Sequence, residues 1–194
     1  MRPTEVIEVC TASHAALIAD ASRLTEDDVR APSRLPNWSR AHLLTHVARN
    51  ADSMVWLFEG ATLGESREQY PRPGMRETDI EAGSTRSTDE IVDDLVNACQ
   101  ALETVWSRVD DDLWDLTAGV AQRTMAELAF RRLREVEIHH VDLDVGFEPA
   151  NWHPFYVGEE LRRQIEQLPD RADHVALVAW LTGRREVVDL DPWF

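Results

Sequence analysis

The sequence predicts a mainly α-helical protein, built as a four-helix bundle with a long crossover loop and a small C-terminal appendage. Three observations carry that expectation. Four long segments repeat their apolar residues at helical spacing. Capping signals stand where those repeats begin. Strands and helices do not alternate, and neither GxGxxG nor GxxxxGKS/T occurs, which disfavours a nucleotide-binding α/β fold.

The first helix is expected from about Thr4 to Leu24, with Val6, Val9, Cys10, Ser13, Leu17 and Ala21 on one side. A polar loop then reaches Arg34-Leu35-Pro36-Asn37-Trp38, and Ser39 is a good N-cap for the second helix. That helix presents Leu43, Leu44, Val47, Ala51, Met54 and Val55, reaches Phe58 and stops at Gly60. Residues 60–86 hold several Gly and Pro and show no sustained period. They read as a long loop, a kind of segment that commonly carries function. Ser87-Thr88-Asp89-Glu90 is a capping box that opens the third helix, through Ile91, Leu95, Ala98, Leu102 and Val105. After the acidic turn at Asp110 to Asp112, Thr124-Met125-Ala126-Glu127 opens the fourth, which runs to about Asp144 before Gly146. Residues 1–146 are therefore expected to form the bundle. Residues 147–194 are the appendage, with a short helix (Val157 to Leu168), a second apolar one (Ala172 to Thr182) and a closing Trp193.

The 194 residues are enough for one full hydrophobic core. Acidic residues number 36 against 20 basic ones, a net charge of -16, which argues against nucleic acid or an anionic membrane as a partner. No stretch approaches the roughly 20 apolar residues of a membrane span, and Met1 to Glu5 lack the apolar run of a signal peptide. Cys10 and Cys99 have no CxxC partner and sit in helical patterns, so buried thiols are expected. The expectation is a cytoplasmic monomer.

Bundles build metal sites from side chains that project inward. Glu135 and His139 are four residues apart on the fourth helix, about 40° on the wheel, so both can reach one ion. They run beside the apolar stripe of Ala129, Leu133, Val136 and Leu143, where a carboxylate is costly unless paired or bound to a cation. The second helix brings His46 between Leu43 and Val47. One carboxylate and two imidazoles suit zinc best and leave a coordination position open. Spacing alone leaves the site unsettled, because ExxxH pairs are common on helices and a histidine on an apolar face is ordinarily a satisfied core residue. His42 and His46 form a rival pair, while His140 lies about 100° round and does not easily join the same ion. Asp142 reads chiefly as a solvated helix-end acid, and secondarily as a carboxylate orienting an imidazole. Arg76, Arg86 and Arg184 lie in loops, either as surface charges or as clamps for a carboxylate substrate.

The segment Trp38-Ser39-Arg40-Ala41-His42-Leu43-Leu44-Thr45-His46-Val47-Ala48-Arg49-Asn50-Ala51 resembles the second-helix motif of the mycothiol-dependent maleylpyruvate isomerase family, within the DinB-like superfamily. Arg134-Glu135-Val136-Glu137-Ile138-His139-His140-Val141-Asp142-Leu143 resembles its fourth-helix motif. Tyr70-Pro71, Arg76 and Asp79-Ile80-Glu81-Ala82-Gly83 are similar to its long loop, and Ala179-Trp180-Leu181-Thr182-Gly183-Arg184 to the end of its C-terminal domain. The family's C-terminal domain is longer than the 48 residues from 147 to 194. The resemblance implies a DinB-like bundle holding zinc through His46, Glu135 and His139. It also implies mycothiol as the thiol cosubstrate, with conversion of maleylpyruvate to fumarylpyruvate in gentisate-type aromatic catabolism. Thiol addition to the cis double bond, rotation about the resulting single bond and elimination would give the trans product. Arg184 is the expected catalytic-side clamp for the dicarboxylate, and no residue is assigned to the thiol. Two rivals stand beside this reading: a mycothiol S-transferase acting on an electrophile, and a non-catalytic metal-binding bundle.

Overall fold

Four short hydroxylated residues set the starts of helices, because each can satisfy backbone N–H groups that the first turn leaves unpaired. The computed structural model describes residues 2–191. Thr25, Ser39, Ser87 and Thr124 all cap helices in reciprocal boxes. At Thr124 the backbone N–H donates to Glu127 at 2.7 Å, and the Glu127 N–H returns to the Thr124 hydroxyl at 3.1 Å. The box at Ser39 uses His42 as its third-position partner, with Nδ1 at 2.7 Å from the hydroxyl.

The resulting helices are α1 (Thr4–Ala21), α2 (Glu26–Arg30), α3 (Arg40–Thr62), α4 (Met75–Ser84), α5 (Thr88–Arg108), α6 (Met125–Asp142), α7 (Pro154–Gln167) and α8 (His174–Leu181). A two-residue hairpin, β1 (Thr117–Ala118) with β2 (Arg123–Thr124), joins α5 to α6. The long helices α1, α3, α5 and α6 form the bundle. Helix α3 packs on α5 and α6, and α1 packs on the same two. The expected apolar stripes are the buried ones: Leu17 on α1, Leu43, Leu44 and Val47 on α3, Leu95 and Leu102 on α5, Leu133 and Val136 on α6. Trp106 and Trp114 close one region of the core, both edge-on to Phe58.

The segment read as a long loop contains α4. Its apolar period is weak because only Ile80, Gly83 and Ser84 are buried. The helix starts at Gly74, whose φ of 71° is the left-handed conformation that glycine adopts without steric cost. Gly83 then lets α4 approach α3, since a Cβ there would overlap the Thr45 methyl.

The bundle interior also holds a polar hub. Arg132 on α6 is fully buried and donates to Val47 O at 2.8 Å and Asn50 Oδ1 at 2.9 Å on α3. It also donates to His14 Nε2 on α1 at 3.0 Å. His14 Nδ1 in turn lies 2.7 Å from Glu103 on α5. Four helices thus meet at one guanidinium, and its counter-charge arrives through a neutral imidazole. Cys10 and Cys99 are buried free thiols beside this hub.

Two units divide the chain, Met1–Trp152 and His153–Phe194. The first closes on Trp152, whose indole N–H donates to Glu137 O at 3.0 Å. The second consists of α7, a 3-10 turn at Leu168–Arg171 and α8, tied at its end by Asp191 N–H to Arg171 O at 2.8 Å. Trp193 lies outside the described residues. No helix among the described residues is long and apolar enough to cross a membrane.

Candidate metal centre

The packing of α3 on α6 decides which polar side chains meet. His46 sits on the buried face of α3, only 5% exposed. Glu135 and His139 are one turn apart on the facing side of α6. Glu135 Oε2 lies 3.4 Å from His46 Nε2 and 3.2 Å from His139 Nε2. The three residues each offer one ligand atom, all within 4.8 Å of one another. Tetrahedral ligands at about 2.0–2.1 Å from zinc are separated by about 3.4 Å, so these spacings match donors around one small ion. They match hydrogen bonds less well, for Glu135 Oε2 is a buried oxygen with no hydrogen-bond partner. A buried carboxylate oxygen in that state is costly without a cation. On this observation the donor set fits zinc.

The electrostatics agree. Burial works to raise the Glu135 pKa, but the His139 and His46 rings hold the carboxyl well below the usual range. Burial likewise opposes charge on His139, yet Asp142 and Glu135 push its pKa up to about 9. Burial dominates at His46 and lowers its pKa.

Asp142 corrects its main sequence reading. Its Oδ2 lies 2.9 Å from His139 Nδ1, so this carboxylate fixes the ring and turns Nε2 toward Glu135. His42 does not rival His46. Its Nδ1 meets the Ser39 hydroxyl, and its Nε2 faces Ser84 of α4 at 3.2 Å. His140 turns away to Asp20 at 2.9 Å and stacks on Phe147. Glu137 faces α1, where the Ser13 hydroxyl donates to it at 2.5 Å.

Of the two loop arginines in the first unit, Arg76 on α4 lies beside the candidate ligands, with NH2 at 3.5 Å from His46 Nδ1. Its guanidinium lies over the Trp38 ring, 5.5 Å from the centroid, and Trp38 itself packs edge-on against His46. Arg86 is engaged elsewhere, donating to Asp94 at 2.5 Å. Arg184 lies in the second unit, exposed, and donates to Thr182 O of its own turn. Sequence reasoning gave Tyr70 no role. Its hydroxyl meets Ser53 and Arg76, and the Glu135 charge contributes to its surroundings. The signal that singled it out was the Tyr70-Pro71 pair of the loop resemblance, which named the residue without a role.

The sequence model of the family described as mycothiol maleylpyruvate isomerase N-terminal domain matches residues 10–144. Among solved structures, the chain is similar to a mycothiol-dependent maleylpyruvate isomerase, with 26% identity and a TM-score of 0.74, over 80% of this chain and 66% of that one. A histidine-to-alanine mutant of that isomerase is similar at 25% identity and a TM-score of 0.68, over 76% and 65%. The chain thus spans about two thirds of the length of the structures it matches, 66% and 65%. No curated protein matches the chain.

Proposed function

The chain belongs to the mycothiol maleylpyruvate isomerase family, and on that premise we propose that it is a zinc- and mycothiol-dependent cis-trans isomerase converting maleylpyruvate to fumarylpyruvate. The observation that carries the zinc is the convergence of His46, Glu135 and His139 on one buried, otherwise unsatisfied carboxylate oxygen. Bound there, zinc supplies a Lewis acid that lowers the pKa of a thiol ligand, so that it is ionised at neutral pH.

The chain's own residues do the rest. Asp142 accepts from His139 Nδ1 and so would leave the Nε2 lone pair free to hold the ion. Trp38 packs on His46 and limits water on that side. Arg76 offers a planar fork beside the ligands and takes a substrate carboxylate, in competition with its present partner Glu77 at 3.3 Å. Arg184 is proposed as a further carboxylate clamp on its chemistry and its exposed guanidinium. With a net charge of -16, such local cations are needed to admit a dianion.

The test is direct. Purified protein loaded with zinc is given maleylpyruvate with and without mycothiol, and products are separated by chromatography. Fumarylpyruvate should form only when the thiol is present, and a chelator should stop it. Accumulation of a thiol conjugate from a simple electrophile, with maleylpyruvate untouched, would replace the isomerase by an S-transferase.

A further inference from the structure

A cavity of about 260 Å³ lies between α3, the crossover segment and α4. It is just below the roughly 300–1,000 Å³ of small-molecule sites, a size that suits one ring-sized portion of a ligand. Arg49, Asp52, Ser53 and Trp56 line it from α3, at the i, i+3, i+4, i+7 spacing of a single helix face that begins one turn beyond His46. Tyr70 lines its other side and joins it to the metal centre, since its hydroxyl meets both Ser53 and Arg76.

The lining selects against the dicarboxylate. Arg49 is already bound to Asp94 at 2.5 Å and Asp52 at 3.0 Å, so its charge is spent within the wall. Asp79 adds a second lining carboxylate, so the wall carries two carboxylates against one arginine where a dianion would need cations. The same lining suits a neutral polyhydroxylated ring. Asp52, Asp79 and Gln69 offer polar groups for hydroxyls, while Trp56 and Pro71 offer flat apolar walls for ring C–H groups. The Trp56 wall is held firmly: its N–H donates to Glu68 O at 3.1 Å, and Arg67 stacks over the ring at 3.7 Å. Gln69 is held as well, donating to Ser53 at 2.9 Å.

We propose that this cavity is the subsite for the neutral sugar-cyclitol body of the cosubstrate thiol. The carboxylates of the substrate are left to the arginine beside the metal ligands. The proposal rests on the thiol-dependent reading above. Mycothiol carries its cysteine on a glucosamine-inositol body, and a ring seated between α3 and α4 would direct the cysteine arm past Tyr70 toward the ligand set.

The experiment needs neither metal nor turnover. The full chain, stripped of metal, is titrated by calorimetry with N-acetylglucosaminyl-inositol, the thiol-free body. Saturable binding is expected. Asp79→Asn, which changes charge and not shape, should weaken it about tenfold, the loss of one good hydrogen bond to a charged group. Trp56→Ala should weaken it at least as much. Because Trp56 also anchors the crossover segment, the isosteric Asp79→Asn variant is the deciding one, checked by unchanged helical circular dichroism. Absence of saturable binding to the wild type would overturn the proposal, as would equal binding by Asp79→Asn or displacement of the probe by succinate. Binding without isomerisation would keep this subsite and remove the isomerase. Isomerisation without binding would do the reverse.

Discussion

Acid should unfold this protein in part through a single imidazole, His14. Burial pushes its pKa down from 6.5 to about 4; the bond to Glu103 opposes that shift and the charge of Arg132 adds to it. In the unfolded chain the ring takes up a proton near its ordinary value. Between these values the unfolded state binds a proton that the folded state refuses, so stability rises with pH across this window. The contribution is complete above pH 6.5 and is lost as pH falls toward 4. A difference of this size is worth roughly 3 kcal/mol. With an m-value of about 2 kcal/mol/M, it moves the urea midpoint by about 1.5 M. Other groups titrate in the same range, so the quantity to measure is the difference from His14→Gln. Glutamine can accept from Arg132 and donate to Glu103 without ever charging. Urea melts of chelator-treated protein at pH 7, 6, 5 and 4, followed at 222 nm, should converge for the two proteins as the pH falls. Curves that stay parallel would show that His14 is not held neutral, and the hub would need a different account.

Three further outcomes concern the site and its support. His46→Ala, Glu135→Ala or His139→Ala should each sharply reduce zinc measured by mass spectrometry while helical content persists; wild-type metal in any one of them removes that residue from the set. Arg76→Lys and Arg184→Lys retain charge but lose the bidentate fork, so KM for maleylpyruvate should rise about tenfold with zinc content unchanged. An unchanged KM returns that arginine to the surface. Gly83→Val forces a side chain into Thr45 and should cost about 1–3 kcal/mol by thermal melt. It should also raise the substrate KM, because Arg76 rides on the same helix; a lowered melting point with KM unmoved would separate α4 from recognition.

The parts of this site that were legible in the sequence share one property. His46, Glu135 and His139 lie on or beside periodic apolar stripes, so their facing follows from counting residues, and the bundle then brings the stripes together. Asp142 was misread because it is the last residue of α6, where periodicity no longer says which way a side chain turns. Its partner His139 is only three residues away, but the contact depends on rotamers. Helix α4 escaped because so little of it is buried that its polar surface masks its period. Arg132 was invisible for a different reason. Its hydrogen-bond partners on α1 and α3 lie 118, 85 and 82 residues away, and no local pattern records them.

The crossover between α3 and α5 has a consequence for how such a protein can change. The candidate metal ligands stand on two long helices locked into a shared core, where alteration is expensive. Arg76, Tyr70 and Asp79 stand instead on a mostly exposed segment fastened to the bundle chiefly by polar contacts and close approaches, among them Trp56 to Glu68, Gln69 to Ser53, Gly83 against Thr45 and His42 against Ser84. On the proposed reading, exchanging that one insert would alter what is recognised while the candidate ligand set stays in place. On that reading the architecture separates reactivity from selectivity along the chain, and new specificities can be sought by grafting residues 63–87 alone.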